Sequence, residues 1–169
     1  MSNVKTIALT SMFIAMITLI TMYGMIPIAW GYLNLGDSII MLLATVLAPT
    51  HVFIVGSVGS ALADVFLGYS QYALFTFFIK GFEGIIVGYL FVYFRNNAKK
   101  TIPFLVGGLW IAIGYGAVDA FLYSDWGVGV ASTSINLIQG LSSAIIAGLL
   151  TGIITPKLSK LLKNNASYR

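Results

Sequence analysis

"QYALFTFFIKGFEGIIVGYLFVYFRNNAKK", residues 71–100, decides the fold class. Its first twenty-four residues are apolar or small apart from Gln71, Lys80, Glu83 and a few hydroxyls, and the run then closes on the basic stretch "RNNAKK". A bilayer core about 30 Å thick needs about 20 predominantly apolar residues to cross it as a helix. A cationic cluster just beyond such a run is the mark of its cytoplasmic end. The reading is a membrane span, and it makes Lys80 and Glu83 costly residues that default to a functional hypothesis.

The whole chain supports that reading. Its 169 residues are 59% hydrophobic and 8% charged, with a mean hydropathy of +0.95. Soluble domains carry about 25% charged residues, so this chain cannot dress a water-facing surface. The net charge of +4 does not point to nucleic acid. Its cations sit in small groups between apolar runs: Lys5, then Arg95, Lys99 and Lys100, then Lys157, Lys160, Lys163 and Arg169. There is no cysteine, hence no disulfide framework or thiolate chemistry. The first apolar run lacks a convincing small-residue cleavage site and reads as a retained helix.

Six segments follow, roughly 4–26, 36–48, 51–67, 71–94, 101–123 and 132–155, with Pro27, "APT" at 48–50, "GYS" at 68–70 and Pro156 as stops. Continuous apolarity favours helices over barrel strands, which alternate. The second and third segments are short, and merging them into one span is the alternative. Charge parity argues against it. Four crossings keep Lys5 and the 95–100 cluster on one side, whereas three would separate them. The expected fold is therefore all-α, a single integral membrane bundle of six transmembrane helices with both termini cytoplasmic, and a tight hairpin at Pro49. Loops 27–35, 68–71 and 124–131 then face outside. Trp30, Tyr32, Tyr69, Tyr72, Tyr123 and Trp126 gather there, as an interfacial belt or as ligand-stacking groups. No internal repeat is visible. Six unduplicated helices are few for a self-sufficient carrier, which points to a subunit or a dimer.

Polar residues concentrate in the outer half of the segments. At 1.5 Å per residue, Lys80 lies about 13 Å in from the outer end of its segment, with Glu83 one turn deeper. Asp119 lies roughly 6 Å in on the fifth, and Asn136 and Gln139 about 6 and 10 Å in on the sixth. Asp37 and Asp64 stand near the outer ends of the second and third. These positions predict one outward-opening polar cavity walled by segments four to six. Each has a plainer reading. Lys80 and Glu83 are three apart and able to neutralise each other. Asp37 suits a helix N-terminus, Asp64 is placed to pair with Lys80, and Asn136 and Gln139 suit interhelical hydrogen bonds. His51 reads as a solvated loop residue. Ser11 and Ala15 in "ALTSMFIAM" have the small-xxx-small spacing that admits close helix approach or a docked partner. Gly84 with Gly88 and Gly148 with Gly152 repeat the spacing and suit internal packing. One histidine and no cysteine exclude the usual zinc sites, and no P-loop is present. Binding without cofactor or metal, rather than catalysis, is the expectation.

Two stretches carry a resemblance: "GYLNLGDSIIMLLATVLAP" at 31–49 and "GSVGSALADVFLGYSQYALFTFFIKGFEGIIVGYL" at 56–90, with "INLIQG" at 135–140 adding to it. The chain resembles, over nearly its whole length, the S components of energy-coupling factor (ECF) transporters, in the subfamily that groups riboflavin-type components with the HmpT type for hydroxymethylpyrimidine or pyridoxine. The family's aromatic–acidic stretch stands here as "GYGAVDAF", with Asp119 where Glu is usual. The resemblance implies a subunit of the bacterial plasma membrane that captures a vitamin or precursor on the outer side. It implies a transmembrane coupling subunit, EcfT, and two cytoplasmic ATPase subunits as partners, with Ser11 and Ala15 matching the coupling-subunit contact. The implied substrate-binding residues are Lys80, Glu83, Asp119, Asn136 and Gln139, with Asp37, Asp64 and Tyr69 behind them and Tyr72 or Tyr115 as further stacking groups. The metal-binding S components are excluded, because their His-bearing N-terminal segment is absent. The alternatives are a stand-alone proton- or ion-coupled carrier working as a dimer, and a non-transport subunit whose polar groups only hold helices together.

Overall fold

A computed structural model describes residues 3–28, 31–94 and 100–162. Among these residues there are six helices and one two-stranded hairpin: α1 (Asn3–Tyr23), β1 (Met25–Ile28), β2 (Gly31–Asn34), α2 (Leu35–Ala44), α3 (Pro49–Phe66), α4 (Ser70–Phe94), α5 (Ile102–Leu122) and α6 (Trp126–Leu162). All the helices except α2 are long and apolar enough to cross a membrane. Trp30, Arg95, Lys99, Lys163 and Arg169 lie outside the described residues.

The break expected at Pro49 is present. Thr45 closes α2, its hydroxyl donating to the Leu42 carbonyl at 2.7 Å, and Pro49 opens α3 where its missing N–H costs nothing. Only α2 of the two short segments is too short to span: ten residues rise about 15 Å. It is instead the centre of the core. Ile40, Met41, Leu42 and Leu43 are at most 3% exposed. Helices α1, α3, α4 and α6 pack around it, so its apolar surface is consumed by protein and needs no lipid. At the other end of α3, Gly68 turns the chain with φ +85°, a conformation that costs side-chain-bearing residues energy.

Three expectations are corrected. The expected loop 27–35, together with the last residues of the expected first segment, forms an antiparallel hairpin, with Met25 opposite Asn34 and Ile28 opposite Gly31. Strands of four residues are too short to display a period of two, and Pro27 is tolerated because a two-stranded ribbon is all edge. The second correction is to α6, which spans 37 residues. Residues 126–131 are its first turns, not loop, because Asp125 caps them: its Oδ1 accepts from the Gly127 N–H at 2.6 Å. Asp125→Ala should cost about 1 kcal/mol, seen as a fall of about 2–4 °C in melting temperature in detergent. At its far end α6 continues through Pro156. The proline removes a single backbone bond to Gly152, and the Thr155 hydroxyl meets that of Thr45 at 2.8 Å. His51, the third correction, lies half-buried in the first turn of α3.

Helices α5 and α6 form the most extensive pairing. They meet at Gly108 and Gly140, where backbone lies on backbone: a Cβ built on Gly108 would stand 2.6 Å from the Gly140 carbonyl oxygen.

Candidate functional site

The helices that bury α2 also surround a polar cavity of about 230 Å³. Its floor is organised by Asp37, in the first turn of α2 and 1% exposed. Asn34 holds this helix start by accepting the Gly36 N–H at 2.8 Å. The Asp37 carboxylate takes a proton donor from each of two other helices, Lys80 Nζ from α4 at 2.5 Å and Gln139 Nε2 from α6 at 2.7 Å. Glu83 stands behind Lys80, with Oε2 3.9 Å from Nζ. Lys80 Nζ also lies 5.1 Å from the centre of the Tyr115 ring, a cation–π distance. The Tyr115 hydroxyl in turn meets Thr76 at 3.0 Å.

A second polar group forms a side wall. Asp119 on α5 accepts the Tyr72 hydroxyl at 2.6 Å and that of Ser132 on its other oxygen. Asn136, one turn along α6, donates to the Ser132 carbonyl at 2.9 Å and to its hydroxyl at 3.1 Å. Thr21, Asp64, Leu67 and Tyr69 complete the lining. Most of the polar members stand on otherwise apolar helices, with Asn34 from β2 and Tyr69 from the turn between α3 and α4. Without the fold, each would be a separate burial penalty.

Of the ten positions singled out in the sequence, Lys80, Asp119, Asn136, Gln139, Asp64 and Tyr69 line this one cavity. Asp37 and Glu83 stand behind the lining and act through Lys80 and Gln139. Ser11 and Ala15 lie elsewhere, in a groove of about 370 Å³ between α1 and α3 that Thr18, Leu62 and Phe66 share. Three sequence readings change. The cavity is walled by α1, β2 and α3 as well as α4 to α6. Lys80 is paired first with Asp37, 43 residues away, and Glu83 is its distant second partner. The ion pairs of Lys80 among the described residues do not include Asp64. Sequence reasoning passed over Thr21, Asn34, Thr76 and Ser132, because uncharged hydroxyls on apolar helices and an amide at a helix start do not stand out in a sequence.

Spans of this length around a polar cavity make a membrane-embedded helical bundle with room for a small ligand. The comparisons then place it: a family model described as "ECF-type riboflavin transporter, S component" matches residues 1–156, and the chain belongs to that family. Among its relatives, a Pyrococcus woesei protein described as "Uncharacterized protein in gap 3'region" is 40% identical over 149 residues, covering 87% of this chain and 99% of the relative. The "Thiamine precursor transporter HmpT" of Lactococcus lactis subsp. cremoris is 25% identical over 155 residues, covering 90% of this chain and 89% of the relative. As a member of this family the chain is a membrane-embedded S component, the substrate-binding subunit of an ECF-type transporter.

Proposed function

We propose that the chain captures a small heteroaromatic vitamin precursor, hydroxymethylpyrimidine or pyridoxine ahead of riboflavin, in the cavity between Lys80 and Asp119. It does so facing the outside, with both termini cytoplasmic. The transmembrane coupling subunit EcfT and two cytoplasmic ATPase subunits then drive uptake. The observation that carries this reading is the cavity's size together with its lining. About 230 Å³ is below the roughly 300–1,000 Å³ of sites for drug-sized ligands, which suits one small ring better than a three-ring isoalloxazine. Lys80, Asn136 and Gln139 supply donors, Asp64 and Asp119 supply acceptors, and Tyr69, Tyr72 and Tyr115 supply ring faces. The likeness to a thiamine precursor transporter points the same way. The groove at Ser11 and Ala15 is the surface assigned to the coupling subunit, because small residues there let another helix approach closely.

The test is equilibrium binding to the purified chain without ATP. Hydroxymethylpyrimidine or pyridoxine should bind saturably, and Asn136→Leu should weaken that binding by about tenfold, the loss of one ligand hydrogen bond. The competing carrier reading predicts uptake into vesicles by this chain alone, driven by a pH gradient. That result would displace the subunit reading.

A further inference from the structure

We infer that the cavity selects by charge: it accepts a neutral or cationic ring bearing N–H or O–H donors and rejects the phosphate ester of the same compound. This rests on the functional reading above and narrows it. Among the described residues lining the cavity, Lys80 is the one cation, while Asp64 and Asp119 are both carboxylates. The charge of Lys80 is already matched, since its ammonium sits 2.5 Å from Asp37 and 3.9 Å from Glu83. A ligand entering the cavity therefore meets two carboxylates with no uncommitted cation to balance them. Across a desolvated contact, like charges cost several kcal/mol.

A second observation concerns hydrogen bonding. Thr21 lines the cavity and is 6% exposed, and its buried Oγ1 has no hydrogen-bond partner among the described residues. The hydroxyl is seated against Gly36, which has no Cβ to displace it. Asp64 lines the same cavity, and its buried Oδ2 likewise has no hydrogen-bond partner among the described residues. Buried polar atoms of this kind are normally satisfied. Both residues border the space that a donor-bearing ligand would fill. An amino or hydroxymethyl group can donate to Asp64. A phosphate dianion, which has only acceptor oxygens, cannot, and its charge adds to the repulsion.

The experiment compares matched pairs on the purified full-length chain: hydroxymethylpyrimidine against its phosphate ester, and pyridoxine against pyridoxine phosphate. The alcohols should bind at least about a hundredfold more tightly than the esters. Asp64→Asn, an isosteric change read alongside the melting temperature, should weaken alcohol binding and narrow that ratio by about tenfold. Equal binding of alcohol and ester would overturn the charge selection while leaving the capture function standing. An unchanged ratio in Asp64→Asn would overturn the role of Asp64 in it. Failure of all four compounds to bind would overturn the capture reading, and this inference with it.

Discussion

Lys80→Met should destabilise the folded chain by about 3–5 kcal/mol, the usual cost of removing one partner from a buried ion pair. Lys80 is 2% exposed and Asp37 1%, and without the ammonium both Asp37 and Glu83 would be buried carboxylates with no cation. Glu83 already has no hydrogen-bond partner on either oxygen among the described residues, so no other group there would replace the ammonium beside it. The damage belongs to the pair, not to the missing amine alone. Adding Asp37→Asn to Lys80→Met should therefore recover a substantial part of the loss, because an amide can still meet Gln139. Unfolding in a denaturing detergent, measured for the wild type, both single variants and the double, gives the coupling energy directly. Simple additivity would mean that the pair contributes nothing specific.

Gly140→Leu is expected to have a comparable effect by a different route. Gly108 and Gly140 let α5 and α6 touch backbone to backbone, and a side chain there finds carbonyl and Cα atoms, which cannot rotate away. Overpacking usually costs about 1–3 kcal/mol, and this contact stands at the upper end because rigid main chain must move. Separating these helices also pulls Ser132 and Asn136 on α6 away from Asp119 on α5. Ligand binding should thus fall more steeply than stability, for example by a hundredfold where the melting temperature falls by about 6–12 °C. Stability lost with affinity unchanged would show that the wall does not depend on this crossing. Gly140→Ala should produce a smaller effect of the same kind.

How far these features were legible in the sequence depends on the range of the interaction. Long apolar runs closed by cations marked the spans, and Pro49 marked the break between α2 and α3, because both signals are local. Lys80, Asp119 and Gln139 stood out for the same reason, as polar groups in apolar surroundings. Their partners did not. The contact of Lys80 with Asp37 joins α4 to α2 across 43 residues, and that of Gln139 with Asp37 spans 102. Nothing in the spacing of a single helix selects between Asp37, Asp64 and Glu83 as the counter-ion. The burial of α2 was equally hidden, since an apolar stretch looks the same whether lipid or protein covers it. The start of α6 was obscured by Gly127 and Gly129, which look like loop residues until Asp125 is seen capping them.

Enclosure of a ligand by side chains from separate helices has a direct thermodynamic consequence. It is tested most directly by the melting temperature of the purified chain with and without hydroxymethylpyrimidine or pyridoxine, beside that of Asn136→Trp, whose indole would occupy the cavity. A bound ligand stabilises by RT ln(1 + [L]/Kd), about 2.7 kcal/mol at a hundred times Kd. The account predicts that saturating ligand raises the wild-type melting temperature by several degrees and leaves that of Asn136→Trp unmoved. An equal rise in both proteins would place the ligand elsewhere, and no rise in either would remove the ligand from the account altogether.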